Sequence, residues 1–195
     1  ARSAFQAALA VMKDAGAQLV ETKLPQFPYG PALSMILAAE EATIFEPLIS
    51  SGKVDELADQ SQIAGLKAAA DVTGRDYLKA MRVRRLIQDA FSRLFGEVDM
   101  LIAPGRPAPA PPANQSLDAP PPAGGPPAPS DPGFSALIPA GNLAGLPALV
   151  LPCGFAGELP VAIQLVGVPF SENALLAVGK EFQARTDWHK RHPRV

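Results

Sequence analysis

The stretch PAGNLAGLPALVLPCGFAGELPVAIQLVG, from Pro139 to Gly167, decides how the chain folds. Two apolar runs, Ala148–Leu151 and Val161–Val166, flank a segment rich in glycine and proline, which predicts two short strands joined by a Gly/Pro turn. A short helical segment, Phe134–Ala144, precedes them. A helix over Glu172–Ala184 follows, with Ala174, Leu175, Val178 and Phe182 giving it an apolar face. Helices alternating with buried strands point to an α/β layer structure. Apart from Cys153, nothing in the stretch can attack a carbonyl, so any nucleophile has to be sought elsewhere.

Upstream, Phe5, Ala8, Leu9 and Met12 recur at helical spacing over residues 3–15, and Gly16 stands where a helix C-terminus prefers glycine. Gln18–Leu24 reads as a strand stopped by Pro25. A helix feeding a strand at the very start of the chain resembles a beginning in mid-domain. Further helices are expected over 32–46, with Leu33, Ile36, Leu37 and Ile44 on one side, and over 54–70. The longest should run from about Asp76 to Phe95, with Val83, Ile87, Ala90, Phe91 and Leu94 inward. Val98–Ala103 reads as a buried strand. Residues 104–132 hold 12 of the 22 prolines and read as one loop of extended polyproline character, since proline lacks the amide donor. An SH3- or WW-type ligand is the alternative reading of that loop.

The composition excludes several classes of function. A formal net charge of −2 creates no broad cationic field for nucleic acid or an anionic membrane surface. No apolar run approaches the roughly 20 residues that span a bilayer. A single cysteine rules out an internal disulfide and a cysteine-cluster metal site, and suits a cytoplasmic setting. Apolar residues make up 48% of the chain, enough for a packed core.

Candidate chemistry is sparse. Ser50-Ser51-Gly52-Lys53 pairs serines with a lysine, but a polar helix end before a glycine turn explains it more simply. Cys153 could pair with His189 or His192 across the fold, against the reading of a buried, inert thiol. Two histidines three apart with no acidic partner make an unconvincing metal site. Lys79, Arg82, Arg84 and Arg85 could bind an anion, or form a salt-bridged helix face. Gln164 stands inside an apolar strand, where a buried amide must either tie strands to a loop or line a pocket. Residue by residue, the chain is an α/β body with no catalytic set.

The order of several short motifs adds a resemblance. Asn142-Leu143-Ala144-Gly145-Leu146-Pro147-Ala148 is followed by Leu151-Pro152-Cys153-Gly154-Phe155, then Leu159-Pro160-Val161 and Gln164-Leu165-Val166-Gly167. Upstream, Tyr77-Leu78-x-Ala80 with Arg82 and Arg85 precedes Leu101-Ile102-Ala103-Pro104. Together these resemble the C-terminal half of the amidase signature family. The resemblance implies part of a large mixed β-sheet flanked by helices, with residues 1–195 forming the C-terminal portion of a single domain. It also implies hydrolysis of a C–N amide bond by a serine, a second serine in cis-peptide linkage and a lysine. Those three belong to an N-terminal Gly/Ser-rich segment that this chain does not contain, so no catalytic residue is expected here and the chain alone should be inactive.

In that family the C-terminal half shapes the substrate cavity. Asn142, Gly145 and Gln164 are the expected substrate-binding positions, Asn142 and Gly145 because they sit at the turn into a central strand where close backbone approach needs small or hydrogen-bonding residues. No cofactor and no metal are expected. The expected partners are a small-molecule amide in the whole enzyme and either a second copy or a complementary N-terminal chain, with neither nucleic acid nor membrane. Two departures leave the substrate open. Ala103-Pro104-Gly105-Arg106-Pro107 replaces a threonine-rich turn, and Glu158-Leu159-Pro160-Val161-Ala162 stands where Gly-Leu-Pro-Val-Gly is usual. The rival readings are a non-catalytic remnant that works as an interaction protein, and the A-type component of an amidotransferase.

Overall fold

The computed structural model describes residues 1–106, 108–113 and 133–193. Most of the expected proline-rich loop, and with it the SH3- or WW-ligand reading, lies outside the described residues. The described part divides into two compact units. The first comprises the described residues of 1–24, 94–141 and 146–193, and the second residues 25–93 and 142–145.

The first unit is built on a three-stranded antiparallel sheet of order β1-β3-β2, where β1 is Met100–Pro104, β2 is Ala148–Ala156 and β3 is Leu159–Gly167. β2 and β3 form a hairpin whose two loop residues are Gly157 and Glu158, and Gly157 takes the positive φ of 64° that such a turn demands. Both strands run longer than their apolar runs predict. Pro152 and Gly154 lie within β2 and do not end it. As an edge strand, β2 has one row of amides outside the ladder, where proline's missing N–H costs little. Its register also shifts between Pro152 and Gly154, a bulge that absorbs the irregular residues.

Helices α1 (Arg2–Asp14) and α7 (Glu172–Arg185) cover one face of this hairpin. Ala8 and Met12 of α1 and Leu175 and Phe182 of α7 pack with Leu151, Cys153, Val161, Ile163 and Leu165. Burying each of the larger side chains contributes about 1.5–3 kcal/mol. Two glycines set the approach of the helices. A Cβ on Gly154 would lie 2.8 Å from Ala4 Cβ, and one on Gly179 would lie 2.6 Å from Leu149 Cδ2. Trp188 closes the unit, tilted against Phe155 at 6.3 Å and covered by the Arg191 guanidinium at 4.4 Å.

Gly16, with φ of 100°, ends α1 as expected. The amides of Gly16 and Ala17 donate back to the carbonyls of Lys13 and Met12, the paired bonds of a Schellman cap. The expected strand at Gln18–Leu24 does not form. An extended segment becomes a strand only when a neighbour completes its ladder. Here none of the described strands pairs with it, and Leu19 and Val20 are exposed.

The second unit is helical: α2 (Tyr29–Ile44), α3 (Glu46–Ser50), α4 (Gln60–Ala69) and α5 (Gly74–Leu94). The expected helix over 54–70 is split. Lys53–Glu56 forms a single 3-10 turn, and α4 starts afresh where Asp59 accepts hydrogen bonds from the amides of Ser61 and Gln62. Val54, Ile63 and Leu66 form the small core there. α2 turns a different face inward from the one its larger apolar residues suggest. Tyr29, Ala32 and Ile36 are buried, whereas Leu37 and Ile44 are 45% and 70% exposed. α5 follows its expected pattern, with Ile87, Ala90, Phe91 and Leu94 buried and Val83 half-buried.

Candidate functional site

Gln164 is the one buried polar side chain among the described residues. It lies at the middle of β3, paired with Ala103 of β1 and Val150 of β2. Its Nε2 donates to the carbonyl of Pro104 at 3.0 Å. Of the two roles open to this amide, it therefore fulfils the tie: it fastens the end of β1, where the ladder gives out at a proline, back onto the central strand. Beside it, the amide of Gly105 donates to the carbonyl of Ala162 at 2.7 Å. A Cβ on Gly105 would approach Ala162 Cβ to 3.4 Å and its carbonyl oxygen to 3.3 Å. The two departures from the family pattern, one in each segment, thus face each other. The glycine at 105 leaves room for the methyl at 162.

Asn142 and Gly145 belong to the other unit, at the end of α6 (Leu137–Ala144). Both are exposed. Gly145 takes φ of 74°; its amide donates to the Asn142 carbonyl at 3.3 Å, and the next amide, of Leu146, donates to the Gly141 carbonyl at 3.0 Å. This is again a Schellman cap, and it corrects the reason given for the glycine. No atom lies within 4 Å of a Cβ built there, so backbone conformation, not close approach, requires glycine. The strand that follows, β2, is an edge of the described sheet; β3 is the central one. Arg84 of α5 completes the helix end by donating from Nε to the Leu143 carbonyl at 2.9 Å, a cation set on the negative end of α6. That contact joins residues 59 apart in the chain and has no local sequence signal.

The remaining candidates resolve into ordinary roles. Lys79 pairs with Asp76 and Arg85 with Asp89, both on the solvent side of α5. With Arg84 bonded to α6, only Arg82 of the four cations makes no hydrogen bond or ion pair among the described residues. Ser50 and Ser51 donate to the carbonyls of Pro47 and Leu48, one turn back, and Gly52 turns at φ of 77°. Cys153 is buried in the sheet core, and burial pushes its thiol above the ordinary value of 9.0. His189 and His192 are exposed. Among the described residues no group of histidine, cysteine and carboxylate side chains could hold a metal ion. No helix among them is long and apolar enough to cross a membrane.

One open groove occurs in the helical unit, about 770 Å³ in volume. The second half of α2, α3 and the segment from Ala69 to Tyr77 line it. Its wall is mainly apolar, with the carboxylates of Glu40 and Glu46 along it.

The sequence profile of the amidase family matches residues 1–176. The chain belongs to the amidase family. Among curated relatives it is 35% identical to the A-type component of the glutamyl-tRNA(Gln) amidotransferase from Synechococcus sp. (strain JA-3-3Ab), over 98% of this chain and 40% of that protein. It is 34% identical to the corresponding component from Chloroflexus aggregans (strain MD-66 / DSM 9485), over 98% of this chain and 42% of that protein. The chain therefore spans about two fifths of the length of these relatives. Among solved structures it superposes on an amidase with a TM-score of 0.76 at 25% identity, covering 94% of this chain and 41% of that one. The 6-aminohexanoate cyclic dimer hydrolase shares the fold, with a TM-score of 0.77 at 19% identity over 98% of this chain and 42% of that one. The amidase resemblance and the α/β fold class expected from the motifs both hold.

Proposed function

We propose that residues 1–195 are the C-terminal portion of an amidase-signature hydrolase that cleaves a C–N amide bond. The reaction is acyl transfer to a serine and then to water, with the nucleophilic serine, the bridging serine and the lysine supplied by a segment outside these residues. The family match over residues 1–176 carries this reading. In it, Asn142 and Gly145 at the exposed end of α6 are substrate-binding positions, and so is Gln164, whose amide also holds the end of β1 in place. The substrate is a small amide, the setting cytoplasmic, and no cofactor is needed.

The test is native mass spectrometry of the purified protein followed by amide hydrolysis on the same sample. Activity is expected only when a chain carrying the serine–lysine segment is present, and an Asn142→Ala variant of that active particle should raise KM more than it lowers kcat. Hydrolysis by the 195-residue chain alone would overturn the proposal. A complete particle without activity would favour the non-catalytic remnant. The relatives at 34–35% identity favour one further reading, the A-type role in an amidotransferase. Glutamine-dependent ammonia release that requires a second protein would distinguish it from a free-standing amidase.

A further inference from the structure

Arg84 is the charged residue on an inward line of α5. Ala80, Arg84, Ile87 and Phe91 recur at i, i+4, i+7 and i+11, and the three apolar members are buried. Arg82 and Arg85, its neighbours in the run Arg82-Val83-Arg84-Arg85, are exposed, whereas Arg84 is half-buried. No carboxylate pairs with it among the described residues. Drawing a guanidinium out of water without a counter-ion is unfavourable unless its donors find acceptors. Here the acceptor is the Leu143 carbonyl, 2.9 Å from Nε.

That carbonyl needs the donor as much as the arginine needs the acceptor. The last four carbonyls of a helix have no partner within it. In α6 two of them, of Gly141 and Asn142, accept from the amides of Leu146 and Gly145. Leu143 is only 2% exposed, so water does not stand in for a donor at the next one. Arg84 supplies the bond that the cap leaves out, at the carbonyl lying between Asn142 and Gly145 in the chain. Residues 142–145 also group with the helical unit that contains Arg84, although the residues on either side of them group with the sheet unit.

We infer that Arg84 is a positioning residue for the amide substrate: its bond to Leu143 fixes the helix end that presents Asn142. This rests on the reading of Asn142 as a substrate-binding position. Arg84 does not touch the substrate, and it acts through a hydrogen bond rather than through its charge. A loosened helix end spreads Asn142 over several orientations, of which one binds. Apparent affinity then falls with the fraction correctly placed, while the chemistry at the serine is untouched.

The experiment is steady-state amide hydrolysis by the active particle, this chain together with the serine–lysine segment, with circular dichroism of every variant to confirm folding. Arg84→Met and Arg84→Gln keep the side chain's reach; the first sets a methyl where Nε stood, the second an amide N–H donor. Arg84→Met should raise KM by about tenfold and leave kcat within about twofold. Arg84→Gln should return KM to within about threefold of the parent value. Arg84→Met combined with Asn142→Ala should raise KM by less than the product of the two single effects, because one change acts through the other. An unchanged KM in Arg84→Met, beside a raised KM in Asn142→Ala, would overturn the positioning role alone, as would a double variant showing the full product. Should Arg84→Met not fold, Arg84→Gln decides by itself: a KM raised about tenfold there would assign the effect to the charge and overturn the proposal. An unchanged KM in Asn142→Ala would instead remove the site reading, and the positioning role with it.

Discussion

Tyr29 is a phenol almost wholly inside the helical unit, its hydroxyl donating to the Pro25 carbonyl, and burial pushes its pKa from 10.0 up to about 12. The folded chain therefore holds this proton more tightly than the unfolded chain. Its contribution to stability is complete below pH 10 and is lost as the pH climbs towards 12. Tyr29→Phe should destabilise the chain by about 1 kcal/mol at neutral pH, through the lost hydrogen bond. The gap between the two proteins should narrow over that alkaline window in urea melts taken at successive pH values; a gap independent of pH would contradict the assignment. Gln164 offers a second check. Gln164→Leu keeps the volume but leaves the Pro104 carbonyl without its donor, and should cost about 1–3 kcal/mol in the same melts. The pair Gly105 and Ala162 makes a third: Gly105→Ala should destabilise the chain, whereas Gly105→Ala in an Ala162→Gly background should cost less, because the opposing methyl is gone.

Among the elements, the approach of α1 to β2 depends on Gly154. Gly154→Ala would set a methyl 2.8 Å from Ala4 Cβ at a φ of 152° that residues with side chains rarely adopt, and overpacking of this kind costs about 1–3 kcal/mol. A thermal midpoint unchanged by the substitution would show that α1 can move away freely. The long helix α5, the cap glycine Gly16 and the β2–β3 hairpin are readable from residue pattern, because each is decided by neighbours within a few positions. What was not readable depends on partners far along the chain. Leu37 and Ile44 look like core residues by size, yet α2 turns Ala32 and Ile36 inward. Gln18–Leu24 has the composition of a strand without a described neighbour to pair with. Pro152 looks like a strand end, and only its edge position lets the ladder pass it. Of the site, Gln164 was legible as an anomaly, since an amide inside an apolar strand announces a hydrogen bond. Its partner, 60 residues away, and the Arg84 contact to α6 were not.

For the molecule as a whole, the two units differ in how much they bury. The sheet unit encloses Leu151, Ile163, Leu165, Leu175 and Phe182 between strands and helices, whereas α3, α4 and the turn between them rest on Val54, Ile63 and Leu66. Local opening follows the amount of apolar contact. Amide hydrogen exchange should therefore be slowest in β3 and fastest among the helical amides of α3 and α4. Equal protection in both would mean that the chain opens only as one body. The aromatic residues make the same comparison possible with light. The only tryptophan, Trp188, lies in the sheet unit, while both tyrosines, Tyr29 and Tyr77, lie in the helical unit. Indole emission and phenol absorbance thus report on different parts of the chain without any label, and a melt followed in both channels reads each unit by its own colour.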